Sequence, residues 1–276
     1  MATMTTTTTV PQSRETSKPG IWIAAYTLWL REIVRFYRQR ARVVGVIASP
    51  LLFWLVLGSG FAKSFHTSGS SQHYLAYFFP GSIAMIVLFT AIFSMMSLIQ
   101  DRNEGFLLSV MAAPVSRSSI VLGKVLGGTT LAAIQGIIFL VFMPMIGVHA
   151  TLAGVGYSIL LIILISFEIT AVGFAIAWPM DSPQAFHAIV NLILLPMWML
   201  SGALFPLDGA SGWLHVIMLC NPLTYGVLAL QQSLLGATAH APLSLNQNTA
   251  LTGAICLLFF ALSWWIVNRR SHRPAA

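Results

Sequence analysis

From Val43 onward the chain alternates between long apolar runs and short polar links. The runs cover Val43 to Ala62, Tyr74 to Ile99, Val125 to Val148, Leu152 to Trp178, Gln184 to Pro206 and Thr249 to Val267. Each is near the ~20 residues that an α-helix needs to cross ~30 Å of hydrocarbon, so the pattern predicts six spans. The link at His149 to Thr151 makes spans three and four a tight hairpin, and Asp181-Ser182-Pro183 reads as a turn, with Ser182 as cap and Pro183 at the first helical position. Before the spans, Trp22, Tyr26, Trp29, Ile33 and Phe36 recur at helical spacing, while Arg31, Arg35, Arg38 and Arg42 form a second stripe nearly opposite. This predicts an amphipathic helix over residues 21–42, lying in the interface with its arginines toward lipid phosphates. Between spans five and six the stretch from Leu207 to Asn248 is too long for a simple turn. Ser211 can cap a short apolar helix to Cys220, Asn221-Pro222 can start a second, and Gly236 can end it, so both dip into the bilayer or rest on the spans.

Composition agrees with an all-α integral membrane protein. The chain is 57% hydrophobic and 8% charged with mean hydropathy +0.82, against about 25% charged residues in soluble domains. Residues 1–20 are Thr-rich and broken by Pro11 and Pro19, and read as a disordered tail; residues 268–276 form a short tail at the other end. Cys220 and Cys256 have no spacing that suggests a disulfide framework or a metal site. The net charge of +7 does not point to nucleic acid, because the basic residues sort by membrane side. Arg14, Lys18, Arg31, Arg35, Arg38, Arg40, Arg42, Arg102, Arg117, Lys124, Arg269, Arg270 and Arg273 fall on one side and only Lys63 on the other. The positive-inside rule then puts both termini in the cytoplasm.

The longest charged link between spans is Gln100 to Lys124, with Asp101, Arg102, Glu104, Arg117 and Lys124. Residues Glu104 to Val110 can form a short helix with Phe106, Leu107 and Val110 on one side. Pro114 stops it, and Ser116 can cap the helix that follows. Asp101-Arg102, Glu104-Gly105, Leu107-Leu108, Ala113-Pro114-Val115-Ser116-Arg117 and Gly123-Lys124 resemble the signature of ABC-2-type transporter permeases, including the drug-exporter-like and polysaccharide-exporter-like branches. A second matching block is Leu200-Ser201-Gly202-Ala203-Leu204-Phe205-Pro206-Leu207-Asp208, followed by Trp213-Leu214 and Asn221-Pro222-Leu223-Thr224-Tyr225. The resemblance implies a transmembrane domain over 43–267, a coupling helix near 101–113, and external re-entrant helices near 211–236. It also implies a bacterial-type cytoplasmic membrane, a second copy of this chain or a related permease, and two copies of a separate ATPase subunit that carries ATP and Mg. On this reading Phe106, Leu107 and Val110 anchor the ATPase contact, Asp101, Arg102 and Glu104 form its polar rim, and Gly105, Pro114 and Arg117 belong to the same coupling segment. Many relatives carry an Arg-Glu pair where this chain has Leu108-Ser109, so the contact here is less charged.

The chain itself carries no ATP site. Gly123-Lys124-Val125 lacks the glycine-rich loop and the hydroxyl that a phosphate site requires. No catalytic residue, cofactor or metal is expected on it, and the function implied is ATP-driven export of a hydrophobic or amphiphilic substrate. An intramembrane hydrolase using Glu168, His187 and Ser201 is one alternative, and a channel or scaffold is another. Ser201 and His187 are 14 residues apart, roughly 21 Å along one helix, which keeps them from meeting. Glu168 lies inside a span, where a carboxylate costs about 2.5–3.5 kcal/mol on insertion scales. It is weighed equally as a functional group and as a protonated acid bonded to a neighbouring helix. The adaptable side chains Met85, Phe89, Phe93, Met96, Met197, Trp198 and Met199 can line a greasy path, with Asn191 and Glu168 as its polar members. The resemblance places spans two and five beside the central path of a dimer.

Overall fold

The computed structural model describes residues 20–61, 74–148, 151–236 and 241–269. The tails, Lys63 and the link at His149 and Ala150 lie outside the described residues, as does the Arg42 side chain. The described residues form ten α-helices: α1 Ile21–Arg38, α2 Arg40–Phe61, α3 Tyr74–Asn103, α4 Phe106–Ala112, α5 Arg117–Phe139, α6 Leu152–Ala177, α7 Pro183–Trp198, α8 Gly212–Cys220, α9 Pro222–Leu235 and α10 Leu245–Arg269. Five apolar helical stretches are long enough to cross a membrane: α3, α5 with its continuation to Met145, α6, α7 with its continuation to Ala203, and α10. The 22 residues of α2 supply a sixth of sufficient length, so this is an all-α membrane bundle.

Local chemistry accounts for the helix ends. The hydroxyls of Ser116, Thr151 and Ser182 accept from backbone amides in the first turns of α5, α6 and α7, and the Asn221 side chain does the same for α9. Ser211 precedes α8 without making the expected cap bond. Helix α3 is central and nearly everywhere buried, with α5, α6 and α2 against it. It runs on to Asn103 instead of ending at Ile99, and α5 begins at Arg117 instead of Val125. Asp101 and Arg102 are therefore the last turn of a span, and Lys124 lies well inside one. The polar link of the sequence reduces to Glu104, Gly105, α4 and a few residues before α5.

The α8–α9 pair bends by 91°, and its contacts make it re-entrant. Near its end α9 bonds to the first turn of α6, where Ser233 donates to the Gly154 carbonyl at 2.8 Å. Nearer its start, Gly226 lies against Ile165, halfway along α6; a Cβ there would come within 2.7 Å of Ile165. Helix α9 thus climbs from mid-depth to the end of the bundle opposite α4. The second sequence block forms the corner above it. After α7, Gly202 adopts φ +83°, and its carbonyl accepts from Tyr77 at 2.8 Å and from Gln231 at 3.0 Å. Glycine is the residue that takes this conformation without strain.

Candidate functional site: an ion cluster behind a surface helix

Helix α1 packs along α5, burying Ala25, Leu28, Glu32 and Phe36. Glu32 is the exception in that stripe, a carboxylate only 3% exposed. It meets Lys124, also buried, whose ammonium lies 2.5 Å from Glu32 Oε1 and contacts Asp101 Oδ2 as well. Ser97 Oγ donates to Glu32 Oε2 at 2.6 Å and accepts from Lys124 at 3.1 Å. Asp101 is completely buried. Arg31 donates to both of its oxygens at 2.8 and 2.7 Å, and Arg35 to Oδ1 at 2.6 Å. A second Arg35 nitrogen donates to Gln100 at 2.9 Å. The Arg31 guanidinium is held above its ordinary pKa, first by its hydrogen bonds to Asp101. Two carboxylates thus share three cations among α1, α3 and α5, the compensation that buried charge requires.

This arrangement corrects the sequence reading of α1. Arg31 and Arg35 turn inward to Asp101 instead of outward to lipid phosphates, because buried carboxylates on α1 and α3 need partners. Arg38 is exposed, as are Trp22 and Tyr26, while Trp29 is half-buried and donates from its indole to Thr130 at 3.0 Å. The exposed side of α1 is itself apolar, with Ile23, Val34 and Tyr37 beside Trp22 and Tyr26. Glu32 was the residue the sequence reading missed. A lone carboxylate one turn from Leu28 and one turn from Phe36 on the same stripe is the available signal, since an acid in a buried face demands an internal cation.

The cluster positions α4. Gly105, at φ +76°, turns the chain out of α3, and Arg31 lies over the Phe106 ring at 3.7 Å, a cation–π contact. Leu107 is buried, and Phe106 and Val110 pack beside it on the core. The face expected to anchor a partner therefore faces this chain's own bundle, and the outward side carries Leu108, Ser109, Met111 and Ala112. Asp101 is buried in the ion cluster, and Arg102 is engaged by the end of α6. Arg102 donates to the carbonyls of Trp178 at 2.5 Å and Met180 at 2.8 Å and pairs with Asp181 at 3.2 Å, tying α3 to the end of α6, where free carbonyls attract a cation. Arg117 reaches the Val267 carbonyl at 3.5 Å, near the end of α10. Glu104 remains well exposed, 3.7 Å from Arg35, and Pro114 is exposed after α4.

The proposed path residues do not come together in one place. Phe89 and Phe93, with Met96, form the partly exposed stripe of α3; Phe89 and Phe93 stack, and His187 of α7 meets Phe93 edge-on at 5.8 Å. Asn191 is exposed on α7. Met85 and Trp198 are buried in the bundle, and Trp198 donates to the Gly81 carbonyl at 2.8 Å, fastening α7 to α3. Neither lines an open path in this conformation. Met197 borders an apolar pocket of about 290 Å³ with Ile193, Leu200, Ile217, Cys220, Asn221 and Pro222. Glu168 lies apart from all of these, fully buried on α6 with no hydrogen-bond partner among the described residues for either carboxyl oxygen. The bond to a neighbouring helix, one of the two readings of this acid, is not made among them. Ser201 donates to the Trp198 carbonyl at 2.6 Å, while His187 engages Phe93, so no hydrolase constellation is assembled.

A model of the ABC-2 type transporter family matches residues 24–235, from α1 to the end of α9. The chain belongs to this family. It is 28% identical over 205 residues to ycf38 of Cyanophora paradoxa, which carries a transport-permease name, covering 73% of this chain and 71% of the relative. It is 21% identical to the daunorubicin resistance ABC transporter permease protein DrrB1 of Streptomyces coeruleorubidus, over 76% and 74% of the two chains. Nodulation protein J of Rhizobium leguminosarum bv. trifolii is 24% identical over 94% of this chain and 98% of its own. The ABC-2 type match spans the ion cluster, α4 and the re-entrant pair, so these belong to the transporter's membrane subunit.

Proposed function

We propose that this chain is the membrane subunit of an ATP-driven exporter in a bacterial-type cytoplasmic membrane, with α4 as the docking point for a separate ATPase subunit. The observation that carries this reading is the mounting of α4. A helix of seven residues is joined through Phe106 and Arg31 to Asp101, and through Asp101 to Lys124 and Glu32, so a push on α4 reaches α1, α3 and α5 together. Its outward residues Leu108 and Met111 are 63% and 41% exposed, an apolar contact flanked by the exposed acids Glu104 and Asp181. That chemistry suits an apolar cleft with basic groups at its edge. Two copies of this chain, or one with a related permease, would sit above two ATPase subunits, and nucleotide-driven closure would rock the spans about the two-fold axis.

The transported class is hydrophobic or amphiphilic, supported by the apolar stripe of Phe89, Phe93 and Met96 and by the drug-resistance name of one relative. Orientation follows from the basic residues, with α4 and both termini cytoplasmic. A reporter active only outside the cytoplasm should be active when fused after Leu243 and silent after Arg270; the opposite result would overturn this orientation. The docking role is tested by co-purifying the ATPase subunit with Leu108→Asp, which should insert normally and lose its partner.

A further inference from the structure

Most buried hydroxyls in the described bundle discharge their hydrogen bond on their own helix. Ser82 donates to the Phe78 carbonyl at 3.0 Å, Thr90 to Ile86 at 2.8 Å, Ser166 to Ile162 at 2.6 Å and Thr170 to Ser166 at 2.6 Å. Each bonds back four residues, the usual way for a helical hydroxyl to be satisfied in an apolar setting. Ser94 does not. Its Oγ is buried, its residue is 2% exposed, and it has no hydrogen-bond partner among the described residues. It lines a cavity of about 10 Å³ between α1, α3 and α5, together with Glu32, Arg35, Ser97, Phe36 and Leu131.

We infer that this cavity is a binding site for one ordered water molecule, which bridges Ser94 Oγ to the Glu32 carboxylate at the edge of the ion cluster. The volume is about that of a single water centre, and a buried water needs two to four polar partners. Ser94 offers one; Glu32 offers another, since its two oxygens accept from Lys124 and Ser97 and a carboxylate has about four acceptor positions. Arg35 and Ser97 complete a polar wall. The surrounding charges exclude an ion: Arg31, Arg35 and Lys124 already outnumber Glu32 and Asp101, which disfavours a cation, and the space is too small for an anion larger than water. The water adds a second link from α3 to Glu32, one turn before the direct bond from Ser97.

The two possible states of the cavity answer a Ser94→Ala substitution with opposite signs. If water bridges the site, removing the hydroxyl leaves that water a partner short, and the full-length chain in lipid nanodiscs should lose about 2–4 °C in melting temperature, the shift expected from one hydrogen bond in a chain of this size. If the cavity is dry, the same change removes an unpaired buried hydroxyl, and the melting temperature should rise or stay the same; that outcome overturns the proposal. Ser82→Ala, which removes a hydroxyl bonded only to its own helix, serves as the control and should shift little. A map of the chain in nanodiscs at a resolution that shows ordered waters gives a second reading. Density within hydrogen-bond reach of Ser94 and Glu32, lost in the Ser94→Ala map, supports the site, and its absence from a map that shows other buried waters refutes it.

Discussion

Asp101 and Glu168 are both completely buried acids on neighbouring helices, and their surroundings are opposites. Asp101, on the last turn of α3, touches three cations supplied by α1 and α5. Glu168, two-thirds of the way along α6, touches none among the described residues, which also leave both of its oxygens without a hydrogen bond. The nearby thiol of Cys256 donates to the Leu164 carbonyl at 3.2 Å instead. A compensated acid holds helices in one arrangement, because moving any partner strands the others. An uncompensated acid holds nothing together and destabilises the state in which it is left alone. The end of the bundle that carries α4 is therefore the fastened end, and the interior of α6 retains an acid with its hydrogen-bonding capacity unused.

The sharpest way to break this comparison is to remove Lys124. Lys124→Ala takes from Glu32 its short ion pair, leaving only the Ser97 hydroxyl and Arg31 at 3.6 Å, and withdraws one of the three cations from Asp101; breaking a buried pair typically destabilises by about 3–5 kcal/mol. We expect much lower yield of folded chain, a melting temperature too low to measure cleanly, and loss of transport. Neutralising the acid as well, in Glu32→Gln with Lys124→Met, should recover part of that loss. If Lys124→Ala melts like the parent, the cluster is not a fastening and the mounting of α4 must be explained otherwise.

Much of this was legible in the sequence, and the failures share a cause. The long apolar helices, the helix before them, the pair α8–α9 and the caps at Ser116, Ser182 and Asn221 follow from period, length and local hydrogen bonding, which a single chain segment displays. The partners of Arg31, Arg35 and Arg102 do not, because each bonds to a group tens of residues away, and an arginine written beside a membrane looks the same whether it faces phosphate or carboxylate. Leu107 and Leu108 make the same point: adjacent leucines in a helix point about 100° apart, and only the contact with α3 shows which is buried. Glu32 was the one long-range partner with a local signal.

The next test moves from the fastening to the surface it presents. Leu108→Asp puts a charge on the outward side of α4, where it costs the fold little, and should release the ATPase subunit; losing a buried anchor at a small interface is worth about 2 kcal/mol, over tenfold in affinity. Leu107→Asp buries the charge in this chain's own core and should fail earlier, at the level of folded protein. Co-purification and melting measured on both variants separate the two. If Leu107→Asp folds normally while Leu108→Asp keeps its partner, the inward and outward faces of α4 have been exchanged.

Glu168 provides the contrasting case inside the membrane. Glu168→Gln keeps the size and the hydrogen-bonding groups of the side chain while removing its ability to ionise. Because no partner is lost, stability should change by about 1 kcal/mol or less, in clear contrast to Lys124→Ala. We expect export to fall while insertion is unchanged, which would assign the carboxyl to the transport cycle; unchanged export would assign it to structure alone. A large loss of stability would contradict the comparison itself, since it would mean that Glu168 is held by a partner.

The smallest effect should come from Glu104, the acid at the fastened end that the cluster leaves outside. It is 62% exposed and 3.7 Å from Arg35, while Arg35 keeps shorter bonds to Asp101 and Gln100. An exposed pair of that length is screened by water and by salt, and contributes about 0.5 kcal/mol or less. Glu104→Ala should therefore leave the melting temperature almost unchanged. Its effect on the ATPase contact should be equally slight at physiological salt, because charges at the edge of an interface steer association more than they hold it. At low salt, screening weakens and a basic partner edge would be felt more strongly, so Glu104→Ala should then slow assembly with the ATPase by a measurable factor. Assembly that is equally fast for both chains at low salt would remove Glu104 from the docking surface and leave Leu108 and Met111 as its whole basis.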